Sequence, residues 1–467
     1  MNSSDTQWYK LLTGKIYNER VRANVLQAFP YWIASLITGV VAVLYARLFA
    51  YAENLSNMTL EGHRWLLFII TPVCFVAAWW IVKRFDQYAA GSGIPQVMAA
   101  IELANPKYNY LVDRFLSLKG ITIKVLSTIL MIFGGGAIGR EGPTIQIAGS
   151  IFRKVNQLLP ASWPKISKKN MIMTGAAAGL AAAFNTPLGG IVFAVEELAK
   201  THINFFKTAL FTAVIIAGLA AQAMLGPYLY LGYPDVSNAS SYIILTVIVV
   251  ACISGFIGSL MSVAILRVLT WKKTLKQYGA QLLYVVLCAL LVATVAYFFN
   301  YGILGSGKEE MSRILFTKDK SVGIGLPLVR VLGPIVAFTT GGAGGIFAPA
   351  LGAGATIGAF IAELFHFTAA NANILILSGM VGFLTGVTRS PFTCAILVLE
   401  MTDRHNIVFH LMLAGMVASL FSNLIDKHSL YDHLKDGYLD AAYKEDAEDA
   451  QRGVVHPESY PETDDNG

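Results

Sequence analysis

Charged residues are scarce in this chain. Lysine, arginine, aspartate and glutamate make up 14% of its 467 residues, whereas hydrophobic residues make up 55% and the mean hydropathy is +0.57. Ordinary soluble domains carry roughly a quarter charged residues, so the composition excludes that class and indicates a protein that has the bilayer as its solvent. The formal charge of +6 fits basic loops beside a membrane and gives no reason to expect a nucleic-acid partner.

Paired cysteines and metal-binding histidines are also lacking. The cysteines stand singly in apolar stretches, which argues against a disulfide framework or a zinc site and predicts buried free thiols. None of the eight histidines forms an H-E-x-x-H pair. We therefore expect neither a metal site nor a cofactor. The cysteines are Cys74, Cys252, Cys288 and Cys394.

A membrane-embedded enzyme is the alternative from a different functional class. Ser92 lies between two glycines, but the G-x-S-x-G motif that exposes a nucleophile is absent. The string Gly302-x4-Gly307-Lys308 imitates a phosphate-binding loop, yet Glu309 follows where Ser or Thr would bind magnesium, and no strand precedes it. We therefore predict that the chain is not an enzyme.

Long apolar runs fill much of the chain. Six of them are close to the length at which a helix crosses the hydrocarbon core. Three further stretches are crowded with glycine and proline, which indicates broken or half-spanning helices. The pattern predicts an all-α membrane protein, a polytopic bundle with tilted, broken and half-spanning helices. The six runs are 32–45, 65–82, 121–133, 209–225, 243–269 and 282–299, and the broken stretches are 134–147, 175–195 and 337–361.

Basic clusters and the two chain ends indicate the orientation. Residues 1–25 carry several basic residues without a cleavage site, so we expect a cytoplasmic N-terminal segment and no signal peptide. Lys83-Arg84 and Lys272-Lys273 mark further cytoplasmic loops. Residues 436–467 are rich in Asp and Glu and lack apolar periodicity, which predicts a disordered cytoplasmic tail.

The sequence contains an internal repeat. With a gapless shift of 204, residues 174–197 align with 378–401, and each segment reads as a small-residue helix, a proline restart and a second helix ending in acid. With a shift of 206, GGGAIGREGP at 134–143 aligns with TGGAGGIFAP at 340–349. Two ordered motifs at nearly one offset indicate duplication. Transporters commonly place their binding site where such repeats meet.

The repeat divides the membrane region into two halves. We expect the first half at 26–230 and the second at 231–435, with the boundary near 226–240. The alignment alone leaves open whether the halves are parallel or inverted.

Three motifs rich in glycine and proline each end an irregular stretch and open a helix: GSGIP at 91–95, GREGPT at 139–144 and GIFAP at 345–349. Proline suits a first helical turn, and glycine lets the backbone approach a ligand closely. The free N–H groups and the positive end of the helix dipole bind anions without a full basic charge. The motifs thus predict an anion site; the alternative is that these glycines only pack at helix crossings.

In this order and spacing, GSGIP, GREGP and GGIFAP resemble the signature motifs of the CLC family, over roughly residues 30–434. The resemblance implies a chloride channel or a proton-coupled chloride antiporter. It also implies a homodimer with one pore per subunit and two inverted halves in each subunit. The chain ends about 36 residues after Tyr431, so we expect a bacterial member without the paired CBS domains of many eukaryotic relatives.

The resemblance assigns a chloride site. Ser92 resembles the coordinating serine and Tyr431 the coordinating tyrosine, and the backbone amides of Ile346 and Phe347 complete the site. Hydroxyls donate to chloride but hold it loosely, as transit requires. The alternatives are that Ser92 bonds its own turn and that Tyr431 is an interfacial anchor.

Two acids complete the expected machinery. Glu141 lies in a glycine-bracketed turn of an apolar stretch, where an acid is costly and usually functional. It resembles the family's gating glutamate, which occupies the anion path when charged; the alternative is an ion pair with Arg140. Glu197 resembles the acid that passes protons to the cytoplasmic side, and the alternative is a solvated helix end. Glu196 aligns with Glu400 in the repeat, which indicates a structural role for it.

Some positions depart from the family pattern. Gln96 and Met98 stand where many members carry acids, and Lys124 resembles a buried lysine that often has an acidic partner. The charge balance around Lys124 and the inner proton route are therefore left open by the sequence.

The resemblance implies a secondary active transporter that exchanges chloride for protons. The expected partners are chloride, protons and the lipid bilayer, in a multi-pass protein of the inner membrane with both termini cytoplasmic. A passive voltage- or proton-gated chloride channel is the nearest alternative, against which Glu197 argues. A fluoride exporter is the other, and Ser92 with Tyr431 favours chloride.

Overall fold

The computed structural model describes residues 19–160, 163–199, 207–226, 229–237, 242–318 and 320–451. Within these residues the chain is helical, and its β contacts are limited to two isolated bridges. The predicted all-α fold class is confirmed.

Nine helical segments of the described part are long and apolar enough to cross a membrane. The predicted runs lie within these segments, except that the last one ends at Phe298 rather than Phe299. The described helices of the first half are α1 (Glu19–Gly62), α2 (Leu67–Phe85), α3 (Ile94–Leu103), α4 (Val112–Phe115), α5 (Leu118–Phe133), α6 (Glu141–Gln157), α7 (Lys168–Phe184), α8 (Pro187–Phe193), which continues as a π-helical turn (Ala194–Ala199), and α9 (Lys207–Leu225).

The second half repeats the alternation of long and short helices. Its described helices are α10 (Ile243–Lys272), α11 (Tyr278–Phe298), α12 (Lys308–Phe316), α13 (Gly325–Thr339), α14 (Phe347–Leu364), α15 (Ala369–Thr388), α16 (Pro391–Thr402), α17 (Val408–Asn423) and α18 (Leu430–Gln451).

The three stretches predicted to be broken are interrupted where glycine and proline cluster. Seven residues separate α5 from α6, two separate α7 from α8, and seven separate α13 from α14. The prolines that follow these breaks, Pro143, Pro187 and Pro349, lie in first turns, where the missing N–H costs nothing. The predicted broken helices are therefore confirmed.

Backbone angles support the duplication residue by residue. At the shift of 204, Asn185 and Arg389 both end a helix in the left-handed region, with φ of 58° and 63°. At the shift of 206, Gly135 and Gly341 have φ of 79° and 89°. The aligned segments thus share their turns as well as their residues.

Two glutamates show that the repeated helices run in opposite directions. The Glu196 carboxylate accepts hydrogen bonds from the backbone N–H groups of Phe392 and Thr393, at 3.2 and 2.7 Å. Glu400 accepts from the two residues that follow Pro187, at 3.0 and 2.7 Å. Because each acid near the end of one helix caps the start of the other, α8 and α16 are antiparallel. This contact confirms the inverted relation of the repeats and the structural role predicted for Glu196.

The C-terminal segment differs from expectation. Helix α18 continues to Gln451, so the prediction of disorder from 436 is wrong as far as 451. Acids without an apolar pattern are fixed here by polar contacts, since Arg114 binds Glu445 at 2.8 Å and Asp449 at 2.9 Å. The rest of the predicted tail, and residues 1–18 of the predicted N-terminal segment, lie outside the described residues.

The four cysteines are free thiols, with Cys74, Cys288 and Cys394 buried and Cys252 half-buried. This agrees with the expected free thiols and places three of them in the interior. Within the described residues, no group of three or more His, Cys, Asp or Glu side chains could hold a metal ion.

Replacing either capping acid should destabilise the bundle. In Glu196→Ala or Glu400→Ala, two backbone N–H groups lose their acceptor, and we expect a loss of about 1–2 kcal/mol for each variant. Thermal unfolding of the purified protein in detergent measures this as a lower midpoint. The control is Glu102→Ala, which removes a half-exposed ion pair with Lys435. A midpoint no lower than that of the control would contradict the capping role.

Candidate functional site

The three glycine-rich loops are joined by backbone hydrogen bonds. Gly91 N–H donates to the carbonyl of Gly342 at 2.9 Å, and Gly344 N–H donates to the carbonyl of Gly91 at 3.0 Å. Gly139 and Gly345 exchange a pair of hydrogen bonds, each 2.7 Å long, in an antiparallel bridge. The GSGIP, GREGP and GGIFAP motifs therefore form one cluster that contains parts of both halves.

The loops approach one another too closely for side chains at several glycines. A Cβ atom on Gly142 would lie 2.2 Å from Ser92 Oγ, and one on Gly139 would lie 2.3 Å from Glu141 Oε2. A Cβ on Gly345 would be 3.1 Å from the backbone nitrogen of Gly142. These glycines allow the loops to pack closely, which is the role that the alternative interpretation gives them. The same close packing brings Ser92 and Glu141 into one cluster.

Several helices begin at this cluster. Helices α3, α6 and α14 have Gly93, Arg140 and Ile346 as their N-caps, and no side chain caps any of them. Among the described residues, no carbonyl accepts from the N–H groups of Ile346 or Phe347. Uncapped N–H groups and converging positive helix ends favour a negative charge. The predicted convergence of helix starts is present.

Ser92 and Tyr431 lie together in the interior. Ser92 is 1% exposed and Tyr431 is fully buried, and their hydroxyls are near each other. Neither hydroxyl has a hydrogen-bond partner among the described residues, although buried polar groups are normally paired. The ring of Phe347 stacks on that of Tyr431, with 6.2 Å between centroids and 7° between planes. Ser92 thus does not bond its own turn, and Tyr431 is not an interfacial anchor.

Glu141 is the first residue of α6 and is 1% exposed. Its Oε1 atom accepts a hydrogen bond from the hydroxyl of Tyr230 at 3.4 Å, and its carboxylate also lies against its own backbone amide. The expected alternative, an ion pair with Arg140, is not formed. The carboxylate therefore lies at the positive end of the α6 dipole, which favours a negative charge.

Glu197 is also buried, at 4% exposure, on the π-helical turn that follows α8. The hydroxyl of Ser390 donates to its carboxylate. A solvated helix end is thus excluded for Glu197, while its neighbour Glu196 caps α16. Glu141 and Glu197 both act electrostatically on Tyr431, so the two acids and the tyrosine belong to one region.

The groups that contact Lys124 lie in a segment distant from it in the sequence. It is 1% exposed, and its Nζ donates to the carbonyls of Gly91 at 3.1 Å and Ala90 at 3.5 Å. The carboxylate that attracts the Lys124 ammonium group belongs to Asp86, which precedes the GSGIP loop. Lys124 thus has an acidic neighbour that belongs to none of the three motifs.

Gln96 forms neutral hydrogen bonds where an acid is common in the family. Its Nε2 atom donates to the carbonyl of Ala90 at 2.6 Å, the carbonyl of Tyr88 at 3.1 Å and the hydroxyl of Tyr438 at 3.0 Å. The amide thereby connects the GSGIP loop to α18, the helix that carries Tyr431.

A family model described as "Voltage gated chloride channel" matches residues 73–423, about three quarters of the chain. The chain belongs to this family. This match confirms the resemblance of the three motifs. Membership of the family, together with the nine apolar spans within the described residues, identifies a multi-pass membrane protein.

Curated relatives match nearly the whole chain. A protein of Salmonella arizonae named "H(+)/Cl(-) exchange transporter ClcA" is 28% identical over 447 residues, which cover 91% of this chain and 90% of the relative. A protein of the same name from Citrobacter koseri is 28% identical over 445 residues and covers 91% of each.

Solved structures share the fold. A slow cyanobacterial Cl-/H+ antiporter has a TM-score of 0.75 at 22% identity, covering 89% of this chain and 98% of its own. A CLC-type fluoride/proton antiporter has a TM-score of 0.74 at 18% identity, covering 88% and 98%. At these identities the likeness concerns the fold alone.

Three residues that contact the predicted site residues were not identified from the sequence. Ser390 aligns with Thr186 in the repeat, and its place before the Pro391 restart is a signal that could have drawn attention to it. Asp86 ends α2 and lies outside every motif. Tyr230 lies in the segment between the halves, and no pattern in the sequence marks it.

Proposed function

We propose that the chain exchanges chloride for protons across the membrane. The observation that carries this proposal is the place of Glu141, whose buried carboxylate lies at the start of α6 within the cluster of uncapped helix starts. The hydroxyls of Ser92 and Tyr431 and the N–H groups of Ile346 and Phe347 supply donors for chloride. These donors are neutral, so they hold a halide without trapping it.

Exchange follows from competition between Glu141 and chloride. The charged carboxylate occupies the anion path, where helix ends and a hydroxyl stabilise it. Protonation removes the charge and with it the attraction to those helix ends, so the side chain swings outward and chloride takes its place. Because chloride binding and protonation each favour the other, the two fluxes are coupled.

Glu197 passes the proton between the site and the cytoplasmic side in this proposal. It is buried near Tyr431, and Ser390 holds one oxygen of its carboxylate. A buried acid that does not cap a helix is otherwise hard to explain, because burying an acid is costly. This residue favours exchange over a passive channel, which needs no inner proton acceptor.

The cellular setting belongs to the proposal as well. We place the protein in the inner membrane as a homodimer with one pore per subunit and with both termini in the cytoplasm. The basic residues Lys272 and Lys273 at the end of α10 support this orientation. The two buried hydroxyls of Ser92 and Tyr431 favour chloride over fluoride as the transported anion.

Liposomes with opposed gradients test the exchange. Purified full-length protein should move protons uphill when chloride runs downhill, because the shared site couples the two ions. A pH-sensitive dye and a chloride electrode measure the two fluxes, and empty liposomes serve as the control. Chloride flux without uphill proton movement would show a channel instead.

Glu141→Ala should uncouple the two ions. Without a carboxylate in the anion path, chloride passes while proton movement falls to the level of empty liposomes. The same assay measures it, with Glu102→Gln as the control acid outside the site, which should behave like the wild type. Preserved uphill proton transport in Glu141→Ala would overturn the gating role.

Glu197→Gln should stop proton transport and leave chloride movement in place, because the amide keeps the shape and the contact with Ser390 but cannot carry a proton. The matched control is Glu196→Gln, one residue away, which should lower stability but keep the coupling ratio. Equal loss of coupling in both variants would contradict the assignment of Glu197.

A further inference from the structure

The segment that joins the two halves, 229–237, is held by the second half. The N–H of Leu231 donates to the carbonyl of Met401 at 3.1 Å, at the end of α16. The Nδ2 atom of Asn373, on α15, donates to the carbonyl of Asp235 at 2.8 Å. These bonds fix the segment against two helices of the second half, so it has a defined position and is not a loose spacer.

This segment places Tyr230 at the gating acid. The side chain is 4% exposed, and its hydroxyl donates to Glu141 Oε1 at 3.4 Å. Its ring meets the ring of Phe184 edge to face, with 5.0 Å between centroids. The ring centroid of Phe184 in turn lies 6.3 Å from that of Phe347. The tyrosine thus reaches Glu141 from the segment between the halves, while its ring packs on Phe184, which in turn contacts Phe347.

Lys308 lies on the ring of Tyr230. Its Nζ atom is 4.4 Å from the ring centroid, within the range of a cation–π contact. The lysine also interacts electrostatically with Glu141, Arg140 and Glu53. In the sequence, Lys308 ends the string that imitates a phosphate-binding loop. In the structure, its ammonium group contacts the ring of Tyr230.

The loop before Lys308 is itself fixed. Arg330 is buried and donates through Nη1 to the carbonyl of Leu304 at 3.1 Å. The Oε1 atom of Glu53, on α1, accepts from the backbone of Ser306 at 2.7 Å. Two helices therefore hold the loop that presents the cation to the tyrosine ring.

We propose that Tyr230 is a positioning residue for Glu141, whose hydroxyl holds the carboxylate in the anion path and so sets how strongly that carboxylate competes with chloride. The inference rests on the proposed gating function of Glu141. A hydrogen bond to the charged form stabilises the state in which the acid blocks the path. The cation on the ring draws electron density from the phenol and makes its hydroxyl a better donor.

Chloride titration by isothermal calorimetry of the full-length protein in detergent tests the inference. Tyr230→Phe keeps the ring and its contact with Phe184 but removes the donor. The carboxylate then competes less well, and we expect chloride to bind about 3–10-fold more tightly, the effect of one hydrogen bond to a charged group that is longer than ideal. The matched control is Tyr233→Phe, in the same segment with a 61% exposed side chain, which should bind chloride like the wild type.

A double variant separates positioning from packing. Because the hydroxyl acts through the carboxylate, adding Tyr230→Phe to Glu141→Ala should change chloride affinity by less than twofold. The same several-fold tightening in both backgrounds would overturn the inference, since it would show an effect independent of Glu141. Wild-type affinity in Tyr230→Phe, with an altered affinity in Glu141→Ala, would also overturn it and leave the proposed function standing. Unchanged affinity and coupling in Glu141→Ala would overturn the proposed function, and this inference with it.

Discussion

The close pairing of Gly139 with Gly345 is the constraint on which the rest of the site depends. Their two backbone hydrogen bonds bring the starts of α6 and α14 from opposite halves into one cluster. A buried carboxylate is costly unless it is compensated, and at Glu141 the compensation comes from the charge of Arg140, from the residue's own backbone amide and from the hydroxyl of Tyr230. The same groups can stabilise the negative charge of a bound halide. The proposed competition between the Glu141 carboxylate and chloride therefore depends on the way the two halves meet.

The duplication supplies a symmetric scaffold for chemistry that is not symmetric. The turns at Asn185 and Arg389 share their backbone angles, and Glu196 and Glu400 cap each other's helices. The acids used in the proposed exchange have no counterpart in the other half, because Glu141 aligns with Phe347 and Glu197 with Met401. One copy of each position thus retains a packing role while the other carries charge. An inverted repeat can in this way place two different groups beside one anion path.

Local patterns made much of the architecture predictable. The GREGP and GGIFAP motifs predicted helix starts because glycine and proline act on their own backbone, and the crowding of these two residues predicted where helices would be interrupted. Contacts between distant segments were beyond that reasoning. Tyr230 reaches Glu141 only because the segment between the halves crosses the site, and α18 extends to Gln451 because Arg114 binds its acids. A composition rich in Asp and Glu indicated disorder, since composition alone does not show that a basic partner lies nearby.

Lys124 illustrates why motif positions alone do not decide the charge balance of such a site. Gln96 and Met98, just after the GSGIP motif, are uncharged, yet Lys124 is buried and bonded to the carbonyl of Gly91, with Asp86 as its source of negative charge. That carbonyl also accepts from Gly344, so the lysine is bonded to the connection between two of the glycine loops. A positive charge at that position would favour the anion binding proposed above without contacting the anion. The charge beside the loop that carries Ser92 is therefore balanced by a residue outside the three motifs, which the motif positions alone did not indicate.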